Sequence, residues 1–392
     1  MVSTAASLAR RATAWVFFAN GAAIGSWVPH IPEAKHALGL SDGLLGLALL
    51  GMAAGSLVGL PLSGVLTARF GSRRTTTAAI LALLLATPLP LLAPSLAAFS
   101  VTLILLGIAN GAVDVAMNTQ AIAVEERVGR AIMSGFHGFF TAGGLAGAAA
   151  AGLAMEAGTD PLAHLTASVA LLLLVTLRAV RSLLPAVPAA AKTAIFRLPR
   201  GALLALGVFA LCSLLAEGAM GDWAAVYLRE DLGTGAGYAA LGFAGFSLAM
   251  AAGRFLGDRV VRRHGGRAVL YVGAGVASTV LTTGLLAGEP WAAVAGFSGV
   301  GLGLANAVPI LFRAAGKISG IRHELAIAAV STAGYCGFLA GPPVIGLIAE
   351  QLGLAAGLGL VALALAIVAV GSMSITQERS EQRWMVLSNG WR

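Results

Sequence analysis

The sequence predicts an all-α integral membrane protein, with twelve transmembrane helices arranged as two pseudo-symmetric bundles of six. Three observations predict it. Of 392 residues, 58% are hydrophobic and only 11% charged, where a soluble domain carries about 25% charged residues. The apolar residues gather into runs of about 20, the length a helix needs to cross a bilayer. The pattern of the first half of the chain is also repeated in the second.

In chain order the runs cover 13–31, 44–68, 75–94, 97–122, 132–155 and 162–180, then 201–228, 236–257, 268–288, 291–314, 325–349 and 354–375. They are read as helices because they are long, uninterrupted and rich in Ala, Leu and Gly. Strands of a membrane barrel would alternate polar with apolar over about half that length. Between the sixth and seventh runs lies RSLLPAVPAAAKTAIFRLPR (181–200), with its prolines and basic residues. It divides the chain into an N-terminal bundle (1–180), a cytoplasmic linker (181–200), a C-terminal bundle (201–375) and a polar cytoplasmic tail (376–392). The first run follows Arg10 and Arg11 and has no small-residue cleavage site before Pro29, so no removable signal peptide is expected.

Charge placement sets the expected orientation. With the N-terminus in the cytoplasm, 23 of the 25 Lys and Arg residues fall on the inner side or near inner helix ends, Arg254 and Arg313 among the latter. Only Lys35 and Arg229 fall outside, so both termini are expected in the cytoplasm of a cell inner membrane. The net charge of +8 is therefore topogenic, and a nucleic-acid partner is excluded. Cys212 and Cys336 are too far apart in sequence to read as a metal motif or disulfide framework. No metal or cofactor is expected.

The repeat is specific. LGIAN at 106–110 returns as LGLAN at 302–306, and MAAG at 52–55 returns at 250–253. NGAAIGSW (20–27) matches EGAMGDW (217–223) with one deletion. Gly143, Gly147, Gly152 and Glu156 align with Gly337, Gly341, Gly346 and Glu350. Arg69, Gly71 and Arg73 align with Arg263, Gly265 and Arg267. A same-sense repeat after six spans implies two bundles related by an axis along the membrane normal, with a site at their interface.

The sharpest candidate is Asp114, in the fourth span, with Asn110 one turn before and Asn118 one turn after. A carboxylate at the bilayer centre costs roughly 2.5–3.5 kcal/mol if ionised, so it must face a cavity, find a partner or hold a proton. Each outcome points towards transport. A permanently protonated or Asn-bonded structural role is the alternative.

At this point the chain resembles the major facilitator superfamily. The loop Gly64-Val-Leu-Thr-Ala-Arg69-Phe-Gly71-Ser-Arg73-Arg74 is similar to that family's cytoplasmic signature G-x-x-x-D-R-x-G-R-R, with Ala68 in place of the acid. Asp258-Arg259 followed by RRHGGR is a stretched second copy that carries it. The acidic fourth span and the AEG of the seventh look most like the fucose:proton symporter branch and a YbjJ-like inner-membrane group of unassigned substrate. The resemblance implies the twelve-helix fold, alternating access, and proton carriage by the acid of span four. It also implies a gating role for the loop residues Gly64, Arg69, Gly71, Arg73, Asp258 and Arg259.

Other candidates follow from position. Glu217 occupies the repeat position of Asn20, so equivalent helices would present the two to a shared site; its alternative is a cap at a helix break. Asp222 lies nearer the outer end, where the water interface would explain it. His137 is either a proton relay to Asp114 or a packing histidine. Arg313, two turns beyond Asn306, either binds an anionic group or pairs with Asp114, or snorkels to the inner surface. Trp27 and Trp223, at matched positions, would stack on solute or anchor at the interface. Substrate contacts are thus expected from Asn20, Trp27, Asn110, Asn118, Trp223, Asn306 and Arg313, and proton coupling from Asp114, Glu217 and His137. The cavity is expected between spans one, four, seven and ten.

Enzyme-like motifs fail on context. GVGLG at 299–303 follows no strand, and GFSLA at 245–249 misses the nucleophile elbow by its last residue. Gly341-Pro342-Pro343 resembles the glycine–proline motif that antiporters of the superfamily carry in span five, but lies in span eleven. The expectation is a non-enzymatic, monomeric secondary transporter in the lipid bilayer. It would move a small polar, sugar-like solute with protons, sodium being the other ion considered. Proton-driven drug or metabolite efflux is the alternative, and a non-transporting sensor or subunit the third reading.

Overall fold

The computed structural model describes residues 4–129, 132–185, 202–318 and 323–373. The linker from 186, the tail and the side chain of Asp258 lie outside what it describes. Among the described residues there is no strand. The N-terminal half runs α1 (Thr4–Trp27), the short α2 (Ile31–Ala37), α3 (Asp42–Phe70), α4 (Ser72–Ala86), α5 (Leu96–Val128), α6 (Met133–Glu156) and α7 (Pro161–Ala179). The C-terminal half runs α8 (Ala202–Val226), a π-helical turn (Tyr227–Asp231), α9 (Ala236–His264), α10 (Gly266–Ala287), α11 (Pro290–Leu304), α12 (Ala307–Gly316), α13 (His323–Leu352) and α14 (Leu354–Ser372).

Eleven described segments are long and apolar enough to cross a membrane. The expected first span, α1, falls outside that set. Arg10, Arg11 and Asn20 dilute its hydropathy, yet it packs along α6, with Phe17, Ala19 and Ala23 fully buried. The expected tenth span is two helices. The chain breaks at Ala305 and Asn306, where Asn306 leaves helical geometry (φ −112°, ψ 3°) to start α12.

Within the first half α3 packs on α5 and α1 on α6; within the second, α9 packs on α11 and α8 on α13. These are the same pairings shifted by one repeat. The halves meet through α6 against α9 and α3 against α13, again a symmetric exchange.

Glycine makes the tightest of these contacts possible. A Cβ on Gly143 would lie 2.1 Å from the Phe18 carbonyl oxygen, and one on its repeat partner Gly337 would lie 2.2 Å from that of Leu211. Only a bare Cα admits the neighbouring backbone there, the membrane logic of small-residue packing. The turns between α3 and α4 and between α9 and α10 also match: Gly71 and Gly265 both have φ 82°, a region side chains avoid.

Candidate solute cavity between the halves

A cavity of about 320 Å³ lies where the halves face each other. The first half lines it with Asn20 and Trp27 (α1), Met52 and Ser56 (α3), Asn110 and Asp114 (α5), and Phe140 and Thr141 (α6). The second half supplies Glu217 and Asp222 (α8), Phe243, Phe246, Ser247, Met250 and Arg254 (α9), and Tyr335, Phe338 and Pro342 (α13). A second hollow of about 470 Å³, between α10 and α14, is lined by Ala, Leu, Gly, Ser278 and Thr282 and holds no titratable group.

Asp114 faces this cavity. Asn118, one turn along α5, donates to its Oδ1 at 3.1 Å and to its backbone carbonyl at 2.8 Å. The side chain is thereby oriented by a neutral amide, and among the described residues no ion pair reaches it. Asn118 itself is not among the lining residues; it aims Asp114. Asn20 is buried (1% exposed); its Nδ2 donates to the Met117 sulfur at 3.6 Å, and its Oδ1 has no hydrogen-bond partner. Trp27 lines the cavity with its ring centroid 6.3 Å from that of Phe99.

Across the cavity Glu217 pairs with Arg254, Oε1 to Nη2 at 3.6 Å. Arg254 also donates from Nη1 to Thr141 Oγ1 at 2.9 Å, so one guanidinium joins α8 and α9 to α6 of the opposite half. Counting Arg254 as an inner-end charge is thus corrected: it lies within α9 and lines the cavity. The repeat held the clue. MAAG is followed by Ser56 in one half and by Arg254 in the other, and both line the cavity. Asp222, given less weight from the sequence, lines it too.

Several expected residues lie elsewhere. Trp223 is fully buried against Gly346, its ring 3.1 Å from where a Cβ there would sit, and does not line the cavity. Asn306 donates to the Gly253 carbonyl at 3.0 Å, pinning the α11–α12 break to α9. Arg313 is exposed on α12. Span ten therefore contributes no lining residue, and spans two, five, eight and eleven join one, four and seven instead. The physical reason is that break: it turns Asn306 into the helix packing. His137 also does not line the cavity. Its ring stands edge-on to Phe17 at 5.3 Å, within electrostatic range of Arg254.

In the signature loop, Arg73 donates to the Arg181 carbonyl at the start of the linker at 2.6 Å, and Arg69 lies over the Phe70 ring; neither contact reaches the C-terminal bundle. Gly64 has open space where a Cβ would be, and Arg259 is exposed. Among the described residues, polar contacts that cross between the halves outside the cavity lie at the opposite end, beside α2. Lys35, 7% exposed, bonds Asp42 at 2.8 Å and also bonds Glu230 on the π-turn of the other half. Burial works against its ammonium, but the two carboxylates outweigh it and hold its pKa above the ordinary lysine value. Glu350 of α13 accepts from the Gly43 N–H at 2.8 Å, capping the N-terminus of α3 across the interface. Sequence reasoning found none of these partners; Lys35–Glu230 and Gly43–Glu350 join residues from different halves, which no local pattern reveals.

Comparison with known proteins agrees with this architecture. The family model described as Major Facilitator Superfamily matches residues 13–221 and 202–384. An uncharacterized MFS-type transporter of Yersinia pestis is 40% identical over 365 residues, covering 93% of this chain and 95% of that protein. Membrane protein MosC of Rhizobium meliloti is 36% identical over 376 residues, covering 95% and 91%. Among solved structures, the nucleoside transporter NupG has a TM-score of 0.71 at 14% identity, covering 93% of this chain and 99% of that one. The Escherichia coli fucose:proton symporter FucP has a TM-score of 0.61 at 18% identity, covering 94% and 98%. With two repeated six-span halves around a shared cavity, and relatives along more than nine-tenths of its length, the chain belongs to the major facilitator superfamily of membrane transporters.

Proposed function

We propose that this transporter moves a small polar, sugar-like solute by alternating access, driven by protons. The observation that carries the reading is Asp114: a carboxylate in an apolar bundle, facing the cavity, oriented by Asn118 and, among the described residues, in no ion pair. Such a group can exchange a proton with whichever side the cavity opens to. Coupling then requires that proton and solute each bias the same two-state equilibrium. The Glu217–Arg254–Thr141 chain, which spans the interface, supports a part in that bias, because tilting the halves must remake it. A proton crossing about 100 mV supplies roughly 2.3 kcal/mol, enough for an approximately fifty-fold gradient.

By the Lys and Arg asymmetry both termini lie in the cytoplasm, which makes the α2 end the outer one. Lys35, Asp42, Glu230 and Glu350 then form the outer closure, and the protein works as a monomer in the inner membrane. The test is solute uptake into proteoliposomes under an inwardly directed proton gradient. Accumulation that collapses with a protonophore supports the reading; uptake indifferent to the gradient overturns proton coupling. Fucose, the solute named for the structural neighbour FucP, is the first to try.

Efflux of apolar compounds is the second reading, favoured by the aromatic and methionine lining of Phe140, Phe243, Phe246, Phe338, Met52 and Met250. A drug-resistance shift on expression, without solute accumulation, would select it.

A further inference from the structure

The charges lining the cavity do not balance. Asp114, Glu217 and Asp222 face a single guanidinium, Arg254. Arg254 is taken by Glu217, and Asp114 serves the proton in the reading above. Asp222 is left over: no hydrogen bond or ion pair reaches it from any described residue. A second observation points to the same missing partner. The buried Oδ1 of Asn20, also on the cavity wall, has no donor. A buried acceptor is stable only when a donor arrives, and an uncompensated carboxylate only when a cation or proton does.

A neutral polyol could donate hydroxyls to both Asn20 and Asp222 but would leave the charge of Asp222 uncompensated. A cationic amine also supplies the charge, and the rings of Trp27, Phe243 and Phe246 on the same cavity wall are of the kind that attracts a cation to its face. In the repeat Asp222 takes the place of Ser26, next to the tryptophan position. The charge is therefore an addition of the C-terminal half to a site that is neutral in the other.

We propose that the solute carries one cationic amine on a hydroxyl-bearing body, the amine seated on Asp222 and a further N–H or O–H meeting Asn20 Oδ1. This rests on the reading of the chain as a proton-coupled carrier in which Asp114 takes the proton.

The test uses the purified full-length protein and matched solutes: amino sugars, amino-cyclitols and short amino alcohols, each beside its neutral hydroxyl parent and its N-acetyl form. D-glucosamine, D-glucose and N-acetyl-D-glucosamine make one such set. Binding is read by thermal shift and titration, and movement by counterflow in proteoliposomes. The expected result is stabilisation by amines and not by their parents or N-acetyl forms. Asp222→Asn weakens amine binding about tenfold or more, while Asp222→Glu keeps the preference. Asp222→Ser, which copies the other half, is the second neutral variant should Asp222→Asn fail to fold.

Stabilisation by neutral parents alone, by no amine at all, or by amines equally in Asp222→Asn overturns the proposal. Neutral solutes carried while amines are ignored would refute the amine and leave the carrier standing. Amines bound through Asp222, with no solute of either kind moved, would refute the carrier and leave the seat standing.

Discussion

Where the N-terminal half places Asn20 on α1, the C-terminal half places Glu217 on α8; where the first places Ser56 on α3, the second places Arg254 on α9. All four line the same cavity. The backbone beneath them is nearly the same, with Gly143 and Gly337 at equivalent crossings and Gly71 and Gly265 in equivalent turns. The charges differ. The first half keeps neutral amides and hydroxyls around one lone acid, Asp114, and the second holds an ion pair beside Asp222. Duplication accounts for the scaffold, and the side chains lining the cavity are what distinguish the halves.

The most damaging way to probe this comparison is to attack what the halves share. Gly143→Leu and Gly337→Leu each drive a side chain into a carbonyl oxygen about 2 Å away. Each is expected to cost more than about 3 kcal/mol and to abolish folded protein, as read by monodisperse yield after extraction. Gly64→Ala, with open space around it, should be silent by the same measure. Unequal effects at Gly143 and Gly337 would show that the halves are less alike than their backbones.

Next in size is the feature they do not share. Arg254→Gln strands Glu217 and cuts the bond to Thr141, and is expected to lower stability by about 1–3 kcal/mol. Arg254→Gln with Glu217→Gln should recover part of that loss, whereas Ser56→Ala, its counterpart, should cost only about 0.5–1.5 kcal/mol. A double-mutant cycle without coupling would dissolve the pair as a functional unit.

At the α2 end, Lys35→Met leaves Asp42 and Glu230 without their shared cation and should loosen the closure by about 1–2 kcal/mol. Thiol labelling of Ser56→Cys, added from the α2 side, should speed up. No change would mean Lys35 is not part of the gate.

The smallest expected effect is at Glu33. Burial raises its carboxyl pKa, and its Oε2 has no partner. A raised value means the folded protein prefers the protonated form, so the cost appears as pH climbs past the ordinary glutamate range. Glu33→Gln should therefore raise stability near pH 7 and leave it unchanged well below pH 4.5. Melting curves at the two pH values check the sign.

Asp114, Asn20, Asn110, Trp27 and Glu217 were legible as cavity residues because a polar side chain inside an apolar helix has few other reasons to be there. Arg254 was not, since basic residues near span ends usually report topology, and only its alignment with Ser56 betrays it. Trp223 and Asn306 were expected in the cavity by extending the repeat, and Arg313 by its helical face beyond Asn306; Trp223 instead packs against Gly346, and Asn306 pins the break in span ten to α9. Lys35 with Glu230 and Glu350 with Gly43 were out of reach, because a contact between halves leaves no local periodicity to read.

One measurement bears most directly on the account. In proteoliposomes, wild-type protein should concentrate its solute under an acid-outside gradient and also exchange it in counterflow. Asp114→Asn should lose the first and keep the second. Gradient-driven accumulation that survives Asp114→Asn would contradict the assignment of Asp114 to the proton.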